Sequence, residues 1–497
     1  MQRSALDATV AMLRRVMPWL AATLVTATAV AQGNAQTPAR DIAIVGASII
    51  DVVAGKSIAD QTIIVRGPHI LSIGARRETS VPPGALVVDG TGKYVMPGLW
   101  DMHGHLFQNA GHPGTDEHRT QFPLYLANGV TGVRDMWTNL EELPVVRGWN
   151  DDAAAGRLMA PRISPTGPMI DGPGGILPHV AIITSAVDAR RVADSVAAGG
   201  ARALKIHGAV SRDAFFALAA RSKEIRVPLI GHVPAAVAVR EAIAAGQTDI
   251  EHNGASDGCA TSEAEAEAMR LRVDKTQHPP PGKVQQLLLD AYDEQRCSDL
   301  LTQLVQRHIW VTPTLVAAQY RLVPTDPTIS NRDELRYVAA ADRAAWTASR
   351  NAGLGRAAPA EAETRRQVFA AQVRLVGAMQ RAGVSLMVGT DVTNNWLVTG
   401  FSVHDELALF VRSGMTTAEA LRAATITPAK YLGAIDSLGT VGPGKAADLV
   451  LLDADPLLDI GNTKKIRAVF IRGRYLDRAA LDALLLGVAT SGRSSSP

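Results

Sequence analysis

Two histidines separated by a single residue, His103 and His105, are the first side chains in the sequence whose spacing suggests chemistry. They follow an apolar run at residues 95–100. In an extended strand, side chains two residues apart project from the same face, so both imidazoles would point toward one place. Paired imidazoles suit a transition metal. Taken alone, the pair is equally compatible with two incidental histidines.

The segments around this pair indicate which elements position it. Between residues 98 and 436, short apolar segments alternate with amphipathic helical patterns, such as segment 203–206 followed by the helical pattern 211–223. This alternation is typical of βα units and a parallel sheet. Because the unit recurs many times, and because no glycine-rich dinucleotide-binding motif follows its first strand, the sequence predicts an α/β fold with a (β/α)8 TIM barrel.

Six residues able to bind a metal occur at the ends of the predicted strands. In TIM barrels the active site lies at the C-terminal ends of the strands, so these six side chains are expected to meet. Random placement of the 12 histidines would not put them at these positions. The six residues are His103, His105, Lys205, His232, His252 and Asp391.

The two ends of the chain predict a second, smaller domain. Residues 40–97 have the pattern of short strands separated by glycine- and proline-containing turns, and residues 437–480 have the same pattern. Because both strand-rich ends flank a different middle, we expect one composite β-sandwich domain built from the two ends, beside the barrel at 98–436.

The first 31 residues have the pattern of a secretory signal peptide. Arg14 and Arg15 precede an apolar run at residues 16–30, and small residues ending at Ala31 provide a cleavage site. The apolar run is too short for a stable transmembrane helix, so a cleaved leader is favoured over a membrane anchor. We therefore expect a periplasmic or secreted protein with no stable membrane span after cleavage.

The chain contains two cysteines, Cys259 and Cys297. In an oxidising compartment, an even pair suggests one disulfide. Two unpaired thiols are the alternative, and the sequence alone does not decide between them. Their spacing does not match a zinc-ligand set.

The composition excludes some classes of partner. The 497 residues include 47% hydrophobic and 20% charged residues, with a net charge of +2, as is typical of soluble globular proteins. A net charge this close to zero gives no sign of the basic surface that nucleic-acid binding requires, so the expected partner is a small-molecule substrate. Whether the chain is a monomer or a homo-oligomer is left open.

The ordered set of motifs resembles that of the metal-dependent amidohydrolase superfamily, specifically its prolidase-like and imidazolonepropionase-like branch. Some of these motifs are common individually, but their order is specific, and the resemblance covers nearly the whole chain after the predicted leader. The segments that carry it are residues 87–90, 96–105, 231–233, 250–252, 389–391, 404–407, 423–429 and 442–450.

The resemblance implies two divalent metal ions, with zinc as the first candidate. A lysine carbamate, formed with CO2, would supply anionic oxygens to both ions, whereas a free ammonium would be a poor neighbour for cations. A mononuclear relative without this bridge is the alternative. The implied ligands are His103, His105 and Asp391 for one ion, His232 and His252 for the other, and Lys205, as N6-carboxylysine, for both.

The resemblance also implies the reaction, which is hydrolysis of an amide bond in a dipeptide or an N-acyl amino acid. A metal-bridging hydroxide would attack the carbonyl, and Asp391 would act as general base and then as general acid. One alternative is a mononuclear cyclic amidohydrolase, lactonase or deaminase, against which Lys205 argues. Another, from a different class, is a non-catalytic exported metal-binding protein, against which Asp391 argues.

Two further histidines are candidates for substrate binding. His207 lies two residues after Lys205 and shares its predicted strand face, where it would contact the substrate or support a ligand. His179 follows the loop at residues 172–178, where it would stabilise a developing oxyanion or simply complete the loop.

Overall fold

The computed structural model describes residues 40–107, 119–175, 177–252, 254–274, 282–324, 327–354 and 359–494. The predicted leader at residues 1–31 lies outside this part of the chain. None of the described helices is long and apolar enough to cross a membrane.

The strands of the described residues form three sheets. Most of these strands are segments rich in valine and isoleucine, which favour extended structure. In chain order they are β1 (Ile42–Asp51), β2 (Lys56–Arg66), β3 (His69–Ala75), β4 (Leu86–Asp89), β5 (Tyr94–Pro97), β6 (Leu99–Gly104), β7 (Val130–Asp135), β8 (Arg162–Pro165), β9 (Met169–Asp171), β10 (Ala181–Ile182), β11 (Leu204–Ile206), β12 (Leu229–Gly231), β13 (Gln247–Glu251), β14 (Trp310–Thr312), β15 (Ser385–Leu386), β16 (Leu449–Leu452), β17 (Ile466–Ile471) and β18 (Arg474–Asp477).

The helices occupy the intervals between the parallel strands and the segments after them. Ser185 caps α3 by accepting a hydrogen bond from Asp188 N, and Ser211 caps α4 in the same way. The helices are α1 (Gln121–Ala127), α2 (Leu143–Ala154), α3 (Ala186–Ala198), α4 (Arg212–Ile225), α5 (Val239–Ala245), α6 (Ser262–Val273), α7 (Lys283–Asp290), α8 (Glu294–Gln306), α9 (Leu315–Leu322), α10 (Pro327–Ser330), α11 (Ala340–Leu354), α12 (Pro359–Ala382), α13 (Phe401–Arg412), α14 (Thr417–Ala423), α15 (Ile426–Tyr431) and α16 (Arg478–Ser494).

Strands from both chain ends form one eight-stranded sheet in the order β18-β17-β16-β5-β1-β2-β3, with β4 paired to β1. The two ends meet where β5 pairs antiparallel with β16, so that Tyr94 lies opposite Leu452. Gly46 adopts a φ of +77° at a register shift within β1, a conformation that glycine reaches without steric cost.

The parallel strands form a three-stranded sheet, β6-β7-β8, and a seven-stranded sheet, β10-β9-β11-β12-β13-β14-β15. Backbone hydrogen bonds connect the two sheets on both sides. Met102 N donates to Val388 O at 2.9 Å beyond β15, and Ala203 N donates to Thr166 O at 2.9 Å between β8 and β11. All six residues of β6 and of β7 are buried, as expected for parallel strands covered on both faces.

The predicted α/β class and parallel arrangement are confirmed. The parallel strands belong to two sheets rather than to one continuous sheet, and β15 contains only two paired residues. Closure into a barrel and a sandwich arrangement of the terminal sheet therefore stay predictions. The described residues from Arg40 onward cluster as one compact unit, so the bounds of the two predicted domains also stay predictions.

Candidate active site

The structure brings all six predicted metal-binding residues together at one edge of the parallel strands. Parallel strands present their C-terminal ends on the same side, which explains why residues far apart in sequence meet. The six are placed as follows: His103 in β6 and His105 directly after it, Lys205 in β11, His232 directly after β12, His252 directly after β13, and Asp391 after β15.

His103, His105 and Asp391 form the first group. Asp391 Oδ1 lies 3.3 Å from His103 Nε2 and 3.1 Å from His105 Nε2. One ligand atom from each of the three residues lies within 4.8 Å of the other two. Two imidazole nitrogens and a carboxylate oxygen at this spacing are a donor set that fits a divalent metal ion.

His232 and His252 form the second group, with their Nε2 atoms 3.0 Å apart. His252 Nδ1 hydrogen-bonds to Thr314 Oγ1 at 2.7 Å, which leaves Nε2 directed at His232. The His252 ring also lies 4.8 Å from the His103 ring, measured between centroids. The two groups are therefore contiguous, and each histidine pair has nitrogens converging on one point.

Glycine permits the close approach of the segment after β15 to β6. A Cβ atom at Gly389 would lie 2.8 Å from His103 Cβ and 2.5 Å from a methyl group of Thr312, closer than side-chain carbons approach. Two positions in the site also have positive φ angles, 64° at Asp391 and 59° at His252. Non-glycine residues in this region often mark functional sites, because the surroundings must hold them there.

Lys205 is fully buried, and its Nζ has no hydrogen-bond partner in the part of the chain that the structure describes. Burial lowers the pKa of this amine, which favours the neutral, nucleophilic form that reacts with CO2. Leaving a buried ammonium without an acceptor is unfavourable. An anionic carbamate coordinated by two metal ions would give the buried side chain partners of opposite charge. The environment of Lys205 therefore fits the implied bridging ligand.

A buried ionic cluster that sequence reasoning missed supports the first group. Glu251 Oε2 lies 2.6 Å from His103 Nδ1, while Arg134 donates to Glu251 Oε1 at 2.7 Å and also to Asp249. The contact fixes the ring orientation of His103 and leaves Nε2 directed at Asp391. The available signal was a pair of acidic residues two apart in β13, an otherwise unexpected feature of a buried strand.

The electrostatic environment favours the metal-binding forms of these groups. Burial lowers the pKa values of His103, His232 and His252 well below the ordinary value of histidine, so the neutral imidazoles are available as ligands. Burial alone would raise the pKa of Asp391, but the adjacent His103 and His105 rings lower it overall. Asp391 is therefore held as a carboxylate.

The two candidate substrate-binding histidines have different positions. The His207 ring lies 4.4 Å from the His232 ring, and His207 Nδ1 is 2.9 Å from Asp171 Oδ2. His207 therefore borders the second group, and Asp171 orients it. His179 is exposed in the loop before β10.

A cavity of about 390 Å³ adjoins the second group, with His232 and His252 in its wall. Cys259 also lines this cavity, and the structure joins it to Cys297 in a disulfide between the segment after β13 and helix α8. The volume lies within the range typical of small-molecule sites. The cavity is therefore the natural place for a substrate next to the histidine cluster.

Comparison with protein families identifies the chain. Residues 94–476 match the family described as the amidohydrolase family. The chain belongs to the amidohydrolase family. It is a hydrolytic enzyme that acts on carbon–nitrogen bonds, and the resemblance inferred from its motifs is confirmed. Enzymes of this family are generally metal-dependent, consistent with the donor set of His103, His105 and Asp391.

Individual relatives share different amounts of the chain. The bottromycin amidohydrolase structure is 25% identical, with a TM-score of 0.68 and coverage of 91% of each chain. A Xaa-Pro dipeptidase structure with bound methionine is 19% identical, with a TM-score of 0.62, and the match covers 88% of this chain and 100% of that one. An adenine deaminase from Rubrobacter xylanophilus is 28% identical over 113 residues, which span 23% of this chain and 18% of that protein.

Proposed function

We propose that this amidohydrolase is an exported enzyme with two metal ions that hydrolyses the amide bond of a dipeptide or an N-acyl amino acid. The observation that carries the proposal is the convergence of five histidine and carboxylate side chains around a buried Lys205 that has no hydrogen-bond partner among the described residues. Lys205 pairs with Ile230 in the neighbouring strand, two residues before His232, so it lies beside the second group.

Each part of the cluster has a role in holding the ions. His103, His105 and Asp391 would hold one ion, His232 and His252 the other, and a carbamate on Lys205 would bridge them. Bound divalent ions, of which zinc is the first candidate, would make a hydroxide available at neutral pH and polarise the scissile carbonyl.

Asp391 moves the proton in this proposal. Its Oδ1 faces the first pair of histidines, whereas its Oδ2 lies 3.9 Å from His252 Nδ1 and so turns toward the second group. A carboxylate in this position accepts the proton of the attacking water and delivers it to the leaving nitrogen. The buried neighbours hold the carboxylate in place without rearrangement.

The neighbouring cavity supports a dipeptide or an N-acyl amino acid as the substrate. Its volume of about 390 Å³ fits a molecule of that size. A prolidase-type relative supports the same choice, because the Xaa-Pro dipeptidase structure has methionine bound in its active site. The deaminase or lactonase alternative would have a site with a single ion. The buried environment of Lys205 argues against such a site.

The proposal extends to architecture and location. Strands β6, β7, β8, β11, β12, β13, β14 and β15 occur in this order along the chain, with the short strands β9 and β10 between β8 and β11. Hydrogen bonds at the strand ends link β15 to β6 and β8 to β11, and we propose that these eight are the strands of a barrel. The leader pattern predicted for residues 1–31 and a disulfide between Cys259 and Cys297 support export to the periplasm or beyond the cell.

One activity screen tests the proposal. Zinc-loaded protein is incubated with dipeptides, N-acyl amino acids, lactones and aminopurines, and product release is compared with that of the Asp391→Asn variant. The expected result is hydrolysis of compounds from the first two classes by the wild type alone. Turnover restricted to lactones or to deamination would contradict the proposed substrate class, and absence of turnover on the whole panel would favour a non-catalytic metal-binding protein.

A further inference from the structure

We propose that Arg321 binds the free carboxylate of the substrate and so selects amides that carry one. This inference rests on the proposed function and deepens it, because it names the group that one side chain of the same cavity recognises. Arg321 lines the cavity that contains His232 and His252.

Helix α9 presents Arg321 from a fixed position. The helix begins directly after Thr314, whose hydroxyl holds His252 Nδ1. Glu406 accepts the backbone N–H groups of Leu315 and Val316 at 2.8 and 2.6 Å, which anchors the first turn. Arg321 lies in the last turn of the same short helix. The backbone of Arg321 is therefore tied, through seven residues of helix, to the environment of the second histidine group, while its side chain is exposed.

Among the described residues, the charges around the cavity leave Arg321 without a counter-ion. Asp257 is paired with Arg272, and Glu265 is paired with Arg296 at 3.0 Å, so both acidic residues of the cavity wall are already engaged. Within the part of the chain that the structure describes, Arg321 forms no ion pair or hydrogen bond. A guanidinium in this state is suited to a carboxylate, which it binds through two parallel hydrogen bonds.

The remaining wall of the cavity is largely apolar. Met269, Leu288, Leu289 and Leu375 contribute to it, and burial of apolar groups against such side chains is favourable. The described wall of the cavity thus combines the guanidinium of Arg321, which no described carboxylate neutralises, with an apolar surface. We infer a substrate in which the scissile amide lies close to a free carboxylate and a bulky apolar side chain or acyl group, as in N-acetyl-leucine.

The experiment compares two substrates that differ only in the carboxylate. N-acetyl-leucine contains it, and N-acetyl-isopentylamine has a hydrogen in its place. For the wild type, kcat/KM is expected to be at least tenfold higher for N-acetyl-leucine. Arg321→Gln should lower kcat/KM for N-acetyl-leucine by about 10–100-fold, mainly through KM, and should leave the analogue nearly unchanged, in line with the usual strength of hydrogen bonds to charged groups.

Arg307→Gln is the matched control, since Arg307 is also exposed but does not contribute to the described wall of the cavity; it should behave as the wild type with both compounds. If Arg321→Gln slows both substrates equally, or slows neither, the carboxylate assignment is wrong while amide hydrolysis stands. Binding is measured separately, by calorimetric titration of both compounds into the Asp391→Asn protein. Equal binding of the two compounds there would overturn the assignment even if the wild type hydrolyses neither of them.

Discussion

His103, a proposed metal ligand, is oriented by a hydrogen bond of 2.6 Å between its Nδ1 and Glu251 Oε2. This nitrogen is the one that does not face Asp391. Glu251 is itself held by Arg134. Carboxylates that support a ligating histidine increase its basicity and fix its tautomer. At the scale of single residues, the site therefore depends on a second layer of buried charges as well as on the six side chains that face one another.

Replacement of this supporting carboxylate should weaken metal binding. Glu251→Gln keeps the shape of the side chain but removes its charge, so the affinity of the first site for zinc should fall about 10–100-fold. Competition with a chromophoric chelator measures this affinity. Thr314→Val is the matched variant, because it removes the partner of His252 and should weaken the second site instead. Zinc affinity equal to that of the wild type in Glu251→Gln would show that Glu251 has no positioning role.

Asp391→Asn should separate catalysis from metal binding. The amide has nearly the same shape as the carboxylate but cannot accept the proton, so kcat should fall by about 10²–10⁴-fold, while the fold is kept and much of the metal remains bound. Metal content by mass spectrometry and kcat are measured on the same preparation. A metal-replete variant with a kcat near that of the wild type would contradict the role of Asp391 in proton transfer.

The residue types and strand-end positions of the six proposed ligands could be predicted from the sequence, because each follows or ends a short apolar segment. The contact between His103 and Glu251 could not be predicted, since it joins residues 148 positions apart and depends on how neighbouring strands align. The loop position of His179 was similarly undetermined, because no periodic pattern constrains that loop. The structure places this residue on the surface.

At the scale of elements, α13 is attached to the 3₁₀ helix at Ile460–Lys464 through a buried histidine. His404 Nδ1 lies 2.9 Å from Thr463 Oγ1, and burial lowers the pKa of His404 to about 4. In the unfolded chain this histidine titrates near its ordinary value of 6.5. As the pH falls, His404 therefore becomes protonated in the unfolded chain before it does in the folded protein. The free energy of unfolding that the neutral, buried His404 contributes is lost as the pH falls from about 6.5 toward 4.

The His404→Asn variant tests this linkage. Between pH 7 and pH 5, the free energy of unfolding of the wild type should decrease by about 2 kcal/mol more than that of the variant. Asparagine can still donate to Thr463 but does not titrate, so the comparison cancels the contributions of other groups. Urea titrations at the two pH values measure the difference. Parallel pH dependence in both proteins would mean that the pKa of His404 is not lowered in the folded state.

The disulfide attaches the short 3₁₀ helix at Ser256–Cys259 to α8 and closes a separation of 38 residues. Cys297→Ser should lower the free energy of unfolding by about 2–4 kcal/mol, because the unfolded chain gains freedom. A reducing agent should destabilise the wild type to the level of the variant and should not affect the variant itself. Equal stability of the oxidised wild type and the variant would show that this cross-link does not contribute to stability.

The even number of cysteines is evident from the sequence, but only the folded chain shows that the two residues are adjacent.

At the scale of the whole molecule, the parallel strands bring together proposed ligands from segments almost 300 residues apart, from His103 to Asp391. The α/β class could be predicted because alternating apolar and amphipathic segments determine which elements form. The connection between the two parallel sheets could not be predicted, because it depends on a few backbone hydrogen bonds, such as the one from Met102 N to Val388 O. We propose that this arrangement holds two ions on a carboxylated Lys205.

Metal content tests whether a carboxylated Lys205 holds two ions. It is measured on the wild type and on Lys205→Ala, each reconstituted with zinc and bicarbonate. A bridging carbamate would supply one oxygen to each ion, so its removal should affect both sites. We expect about two zinc ions per chain in the wild type, and fewer in Lys205→Ala, which should have almost no activity. A short carboxylic acid should partly restore that activity. Lys205→Arg should not recover, because its guanidinium stays protonated. Two zinc ions and full activity in Lys205→Ala would contradict the binuclear site and favour the single-metal alternative.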